Sequence, residues 1–328
     1  MALESISVIG GGAWGTALAQ AARTAGRSVR LVVRDAAQAD EINTQHTNAR
    51  FLGAQALDAG IVAGTTFLPA DIIVLAVPAQ ATRAVLAALD PALFAHRPII
   101  VTAKGLETGT LERQSQIVLD MAPGAVPYVL SGPSFAADVA AGRPTAVTLA
   151  GDDASSTSAL AAALAGPSFR PYAADDRIGV EIAGALKNIY ALACGAVEGA
   201  QLGASARSAL LARGYAEMAR MVVAMGGSAT TLTGLAGLGD LTLTCTSTQS
   251  RNYQFGIALG QGQRVESIIA AGAKLAEGVT TTPVAAELAR SLDVDVPLID
   301  AVNAVLSGTA TIQTIVAGLM SRPLKRED

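Results

Sequence analysis

Of 23 basic residues in this chain, 19 are Arg; the four lysines are Lys104, Lys187, Lys274 and Lys325. Where arginine covers the surface, a lysine in an apolar setting is a candidate for what arginine cannot do, losing its proton when partly buried. Lys104, in Thr102-Ala103-Lys104-Gly105, follows the apolar run Ile99–Thr102. Lys187 sits in the helical pattern Ile182–Leu192 with no acidic residue three or four positions away. A charged lysine there is costly to desolvate unless something pairs with it. It reads as a general acid/base or, more plainly, as a lysine snorkelling at a helix edge. Asp240 is the one carboxylate of a long uncharged stretch, and a lone Asp amid Gly and Leu often caps a helix. Arg251 beside Asn252 offers fixed donors suited to a phosphate or a carboxylate. Ser131-Gly132-Pro133-Ser134-Phe135-Ala136 follows another apolar run and supplies backbone and hydroxyl donors.

The strongest local signal is Ser5–Ile9 running into Gly10-Gly11-Gly12-Ala13-Trp14-Gly15. Gly10, Gly12 and Gly15 fit G-x-G-x-x-G between a strand and a helix, the context this dinucleotide motif requires. Similar spacing recurs at Gly234–Gly239, so context rather than spacing carries the reading. Arg34 and Asp35 lie nineteen and twenty residues beyond Gly15. An acid there grips the ribose hydroxyl of NAD, whereas an arginine accommodates the 2′-phosphate of NADP. Arg34 comes first, so NADP(H) is favoured with NAD(H) as the other option; a plain strand-end ion pair between the two is the alternative.

These residues need a scaffold. Ser5–Ile9, Val29–Val33, Ile72–Val77, Ile99–Thr102, Tyr128–Leu130 and Ala146–Leu149 read as strands of a parallel sheet, buried on both faces. Trp14–Ala25, Ala79–Leu89, Leu111–Met121 and Ala154–Leu164 read as the helices between them. The alternation predicts an α/β doubly wound, Rossmann-type domain over residues 1–177. From Ile178 to Val223 the pattern is helical, and Ser267–Ala276, Thr282–Leu292 and Asp300–Leu306 continue it. An all-helical domain is expected over 178–328, meeting the first at a ligand-binding cleft and ending in a mobile tail, Arg322–Asp328.

Composition narrows the function classes. A net charge of −4 and a pI near 5.3 offer nucleic acid no general attraction. Mean hydropathy of +0.42 reflects 68 alanines. The longest uncharged stretches, Met221–Gly239 and Ala301–Ser321, are too polar for a membrane span. Cys194 and Cys245, with His46 and His96, suggest no disulfide framework and no metal site. A cytoplasmic enzyme is expected, assembled as a homodimer on general frequency.

Taken in order, Gly10–Ala17, Val77-Pro78, Ala103-Lys104-Gly105-Leu106-Glu107, Leu130–Ala136, Ala185–Tyr190, Gly237–Thr244, Arg251-Asn252 and Glu277-Gly278 resemble the bacterial NAD(P)-dependent glycerol-3-phosphate dehydrogenases over nearly the whole chain. The resemblance implies a cofactor site at Ala13, Trp14, Arg34, Lys104, Ala136, Arg251, Leu275 and Glu277. It implies that Lys104, Gly132, Ser134, Lys187, Asp240, Ser250, Arg251 and Asn252 meet a phosphorylated triose. Lys187 is then the proton donor and acceptor, with Asn188 and Thr244 at further active-site positions. Supply of glycerol 3-phosphate for phospholipid synthesis is implied in the same way. Ala13 departs from the Ser of many relatives. The rival readings are a β-hydroxyacid dehydrogenase of the same plan and a non-catalytic nicotinamide-binding redox sensor. The latter has no need of Lys187, Asp240, Arg251 and Asn252 together.

Overall fold

The computed structural model describes residues 3–272, 276–323 and 326. Its first half runs β1 (Ser5–Ile9), α1 (Ala13–Thr24), β2 (Ser28–Val32), α2 (Ala36–Gln45), α3 (Ala49–Leu52), β3 (Ile61–Gly64), β4 (Ile72–Leu75), α4 (Thr82–Ala87), β5 (Pro98–Val101), α5 (Gln114–Met121), β6 (Val126–Ser131), α6 (Ala136–Ala140), β7 (Thr145–Ala150), α7 (Ala154–Leu164) and β8 (Phe169–Ala174). Helices make up the rest: α8 (Arg177–Gly199), α9 (Ala204–Ala224), α10 (Asp240–Thr246), α11 (Arg251–Gly260), α12 (Val265–Ala270), α13 (Glu277–Ser291), α14 (Pro297–Leu306) and α15 (Ile312–Met320).

The strands form one sheet in the order β3-β2-β1-β4-β5-β6-β7-β8. The first six are parallel, with Ile6 opposite Val29 on one side and Ile72 on the other. That order places the β1–α1 turn beside the switch point, where doubly wound sheets bind ligands. One core cluster joins α1 and α7 to one face of the sheet, and a second joins α4 and α5 to the other. A third surrounds α8 in the helical domain.

All six expected strands are present, but Ala146–Leu149 lies in β7, which pairs antiparallel to β6. Burial on both faces does not report direction, so the parallel expectation fails there. Periodicity does not find β3 and β8, both at sheet edges, where short runs and Pro171 are tolerated. Nor does it find α2, whose N-cap is Asp35. Helix α5 begins at Gln114 rather than Leu111, because Leu111 has a left-handed φ of 64° and Leu106 bridges to Arg113. Helix α13 starts at Glu277 and runs through Pro283, near which the sequence pattern starts the helix. Leu275 and residues 324, 325, 327 and 328 of the expected tail lie outside the described residues.

Helix α8 is long and apolar enough to cross a membrane, but 94% of its most apolar window is buried inside the fold. It is the central strut of the helical domain.

Glu217 of α9 is buried against the start of α14, where its carboxyl accepts from Leu298 N at 2.6 Å and Ile299 N at 3.3 Å. Burial pushes its pKa up to about 7, although those hydrogen bonds pull the other way. A carboxyl raised in the folded state contributes stability at low pH and loses it as pH rises through about 7. Glu217→Gln keeps an acceptor for Leu298 N. Its melting temperature relative to the parent should therefore climb as pH rises through that value, and a gap independent of pH would show that the carboxyl does not titrate there.

Candidate active site

Lys187 projects from the middle of α8, only 6% exposed. Its partner comes from another helix. A wide π-type turn at Leu235–Gly239, closed so tightly that a Cβ on Gly237 would lie 2.2 Å from Leu232 O, delivers Asp240 as the first residue of α10. Asp240 does not cap that helix, as the sequence suggested, because the cap position is Gly239 and the carboxylate reaches α8 instead. Lys187 Nζ donates to Asp240 Oδ1 and, at 2.8 Å, to Thr244 Oγ1. Lys104 Nζ donates to Asp240 Oδ2 at 2.6 Å and to Gly132 O at 3.3 Å.

Asparagines knit the surrounding elements together. Asn188 Nδ2 donates to Lys104 O at 3.1 Å, Asn252 Nδ2 to Asn188 Oδ1 at 2.8 Å, and Gly278 N to Asn252 Oδ1 at 2.8 Å. The loop after β5 and helices α8, α11 and α13 thus share one hydrogen-bonded chain. Ser134 Oγ folds back onto Gly132 O at 3.0 Å, and Ser250 Oγ caps α11 by accepting from Tyr253 N.

Two ammoniums flank one buried carboxylate, so the cluster carries a net positive charge. Burial would raise the pKa of Asp240, but Lys104 and Lys187 hold it below the usual carboxylate range. Burial also lowers Lys187 to about 8; Asp240 opposes that fall and Lys104 adds to it. Such a lysine carries its proton at neutral pH and can lose it slightly above. The carboxyl of Glu277, the first residue of α13, is raised by burial against the pull of Arg251, Lys104 and Lys187. An uncompensated buried cation favours whatever places negative charge beside it.

Arg251 is exposed at the first position of α11, and its side chain has no hydrogen bond or ion pair among the described residues. A helix N-terminus with a free guanidinium is suited to a phosphate. Its helix is locked to α8 through glycines. A Cβ on Gly195 would stand 2.1 Å from Tyr253 O, and one on Gly256 would stand 2.1 Å from Leu192 O. The backbones of the two helices are therefore in direct contact.

The glycine turn lies at the carboxyl end of β1. A Cβ on Gly10 would meet Ala76 O at 2.5 Å, and one on Gly15 would meet Gly10 O at 1.9 Å, so packing requires both glycines. At Gly12 an added Cβ meets nothing within 4 Å. Nothing in the protein's own packing demands glycine there, whereas close approach of a pyrophosphate does. No side chain caps α1 at Gly12, which leaves first-turn N–H groups for an anion. The turn thus fits a dinucleotide. Trp14 and Ala136, from α1 and the start of α6, are partly buried against the same core, and Ala13 opens α1 beside them.

Arg34 is exposed beyond β2 with no partner among the described residues, while Asp35 caps α2 by accepting from Ala37 N at 2.9 Å. The expected alternative, an ion pair between the two, does not form. Sequence reasoning also missed the supports of the turn: Asn48 Nδ2 donates to Gly11 O at 3.1 Å and Thr16 Oγ1 at 2.8 Å, and Gln38 Nε2 to Gly11 O at 2.6 Å. No spacing rule links these amides to a glycine loop, so nothing in the sequence marked them.

Comparison with known proteins gives the same picture. Residues 5–157 match the family model for the NAD-dependent glycerol-3-phosphate dehydrogenase N-terminus, and residues 176–317 match that for its C-terminus. The chain is 48% identical over 329 residues to a Rhodopseudomonas palustris protein named glycerol-3-phosphate dehydrogenase [NAD(P)+], covering 99% of each. It is 46% identical over 330 residues to a protein of the same name from Caulobacter vibrioides, covering 100% of both. The crystal structure of glycerol-3-phosphate dehydrogenase from Coxiella burnetii superposes with a TM-score of 0.91 at 37% identity, over 97% of this chain and 99% of that one. Matches to both halves, full-length relatives and a shared architecture agree with the lysine–aspartate cluster and the glycine turn: the chain belongs to the NAD-dependent glycerol-3-phosphate dehydrogenase family.

Proposed function

We propose that the chain interconverts dihydroxyacetone phosphate and sn-glycerol 3-phosphate, with Lys187 as the proton donor and acceptor. The observation that carries this is the Lys104–Asp240–Lys187 cluster, buried and net positive, in a fold whose α11 presents Arg251 and Asn252 at a helix N-terminus. The nicotinamide, when bound, supplies the hydride that reduces the substrate carbonyl. Lys187 Nζ stabilises the negative charge that develops on the carbonyl oxygen and delivers the proton, a contribution of roughly 10²–10⁴-fold for a positioned acid. Asp240 orients the ammonium, Thr244 Oγ1 holds it from the side, and burial, with Lys104 adding to it, keeps the pKa of Lys187 low. Arg251, Asn252 and Ser250 seat the phosphate, and Gly132 and Ser134 border the triose.

In this reading residues 1–177 hold the dinucleotide through Gly10, Gly12, Ala13, Trp14, Gly15, Arg34, Lys104 and Ala136. Residues 178–328 hold the substrate, with Arg251, Leu275 and Glu277 completing the cofactor site. The chain works as a cytoplasmic homodimer, the commonest closed assembly, and supplies glycerol 3-phosphate for phospholipid synthesis. A phosphate seat on α11 favours this substrate over a β-hydroxyacid. NADPH oxidation on adding dihydroxyacetone phosphate tests the reading directly; NADPH oxidation with a β-oxoacid, the oxidised partner of a β-hydroxyacid, and none with dihydroxyacetone phosphate would overturn it.

The free Arg34, beside an Asp35 already engaged as a cap, supports NADP(H) as the favoured cofactor, with NAD(H) also accepted. Arg34→Ala should weaken NADPH more than NADH, since only NADPH carries the 2′-phosphate. Equal losses in two binding titrations would make Arg34 structural.

A further inference from the structure

Glu181 lies on α8 upstream of Lys187, 3% exposed, and the acid–base chemistry makes no use of it. Its carboxylate accepts from Ser115 N at 2.8 Å, Ser115 Oγ at 2.6 Å and Arg113 Nη1 at 3.2 Å. All three donors lie at the start of α5, where the loop carrying Lys104 ends. Between Lys104 and Arg113 that loop closes on itself through the Leu106–Arg113 bridge and the bond from Glu107 N to Glu112 O at 2.9 Å. Gln114 Nε2 adds a bond to Gly105 O at 3.1 Å.

The loop therefore stands on α8 at two points, Asn188 under Lys104 and Glu181 under its far end. Seven residues separate the two, which puts them on one face of the helix about 10 Å apart. Stability is a weak explanation for this ion pair, because buried pairs rarely outperform apolar packing. Arg113 Nε moreover has no partner among the described residues, a desolvation cost that a purely stabilising contact would shed. Geometry is the better explanation.

We infer that Glu181 is a positioning residue: by tying α8 to the start of α5 it fixes Lys104 opposite Lys187 across Asp240. The inference rests on the reading of Lys187 as the acid only for its kinetic consequence. Lys187 faces Asp240, Thr244 and Cys245 of α10, Lys104 of the loop and Glu277 of α13. Burial lowers its pKa most, and of these groups Lys104 is the cation that adds to the fall. Loosening the loop lets Lys104 withdraw, so the Lys187 pKa must rise.

The test uses the full chain labelled with [13C]lysine, whose four lysines give a short spectrum. In Glu181→Ala the Lys187 titration midpoint should move above its parent value of about 8. With dihydroxyacetone phosphate, kcat/KM should fall about tenfold, since small misplacements of reacting groups can cost up to about 10²-fold. Glu181→Gln keeps an acceptor for Ser115 N and should restore most of both. An unmoved midpoint with parental kcat/KM in folded Glu181→Ala protein, whatever its melting temperature, overturns the inference. If that variant does not fold, Glu181→Asp, whose shorter side chain draws the carboxylate away from all three donors, is measured in the same two ways: a raised midpoint with reduced kcat/KM supports the role of Glu181, and parental values overturn it. A parent enzyme with a Lys187 midpoint near 8 but no kinetic limb there would fault the acid assignment alone, and the midpoint shift would still decide the role of Glu181.

Discussion

Lys187→Met is expected to lower turnover by at least about a hundredfold while leaving cofactor binding nearly intact, since a positioned general acid contributes roughly 10²–10⁴. The structure says why the fold should survive. Removing one ammonium leaves Asp240 paired with Lys104, so no unpaired charge is stranded in the interior. Cofactor affinity can be followed through Trp14, the single tryptophan, which lies in the glycine turn. The pH profile supplies an independent check. Ketone reduction needs protonated Lys187, so kcat/KM should fall as pH rises through about 8; alcohol oxidation needs the neutral amine and should rise over the same range. The Met variant should lose both limbs. Near-normal turnover in a well-folded variant would remove Lys187 from the chemistry.

Arg251→Ala tests the substrate rather than the fold. The side chain is exposed and has no hydrogen bond or ion pair among the described residues, and Ser250 goes on capping α11 without it. A phosphate held by a guanidinium loses charge-assisted hydrogen bonds of roughly 1.5–3 kcal/mol each. With two such bonds, kcat/KM for dihydroxyacetone phosphate should drop at least about a hundredfold. Unphosphorylated dihydroxyacetone, which has no phosphate to lose, should change far less. Arg251 is also proposed to border the cofactor, so NADPH affinity is measured separately and divided out. Equal losses on both substrates after that correction would remove the phosphate from Arg251.

Lys104 and Lys187 were legible because an arginine-rich chain makes lysine conspicuous, and Asp240 because it stands alone in an uncharged stretch. Their meeting was not legible. Local spacing describes one helix or one strand, whereas Asp240 reaches Lys187 from another helix. Asn188 and Thr244 came only from resemblance, because an Asn or Thr on a helix has many ordinary uses. Glu181 gave no signal, since its donors are 66 and 68 positions away. Strand periodicity found the sheet centre and missed β3 and β8, where one exposed edge relaxes the pattern. Pro283 hid the true start of α13, and with it the reason Glu277 stands at a helix N-terminus.

The glycine contacts between α8 and α11 divide this site into a part that is easy to vary and a part that is not. In the proposed roles, the span from acid to phosphate seat is a main-chain dimension, set where Gly195 and Gly256 bring two helices together. Swapping side chains cannot lengthen it by a carbon, and adding a methyl at either glycine drives the helices apart. Cofactor choice in the same proposed roles, by contrast, hangs on Arg34, an exposed side chain. In that reading, preference between the two nicotinamide cofactors is open to a single point mutation, while the length of the phosphorylated substrate is held by the architecture.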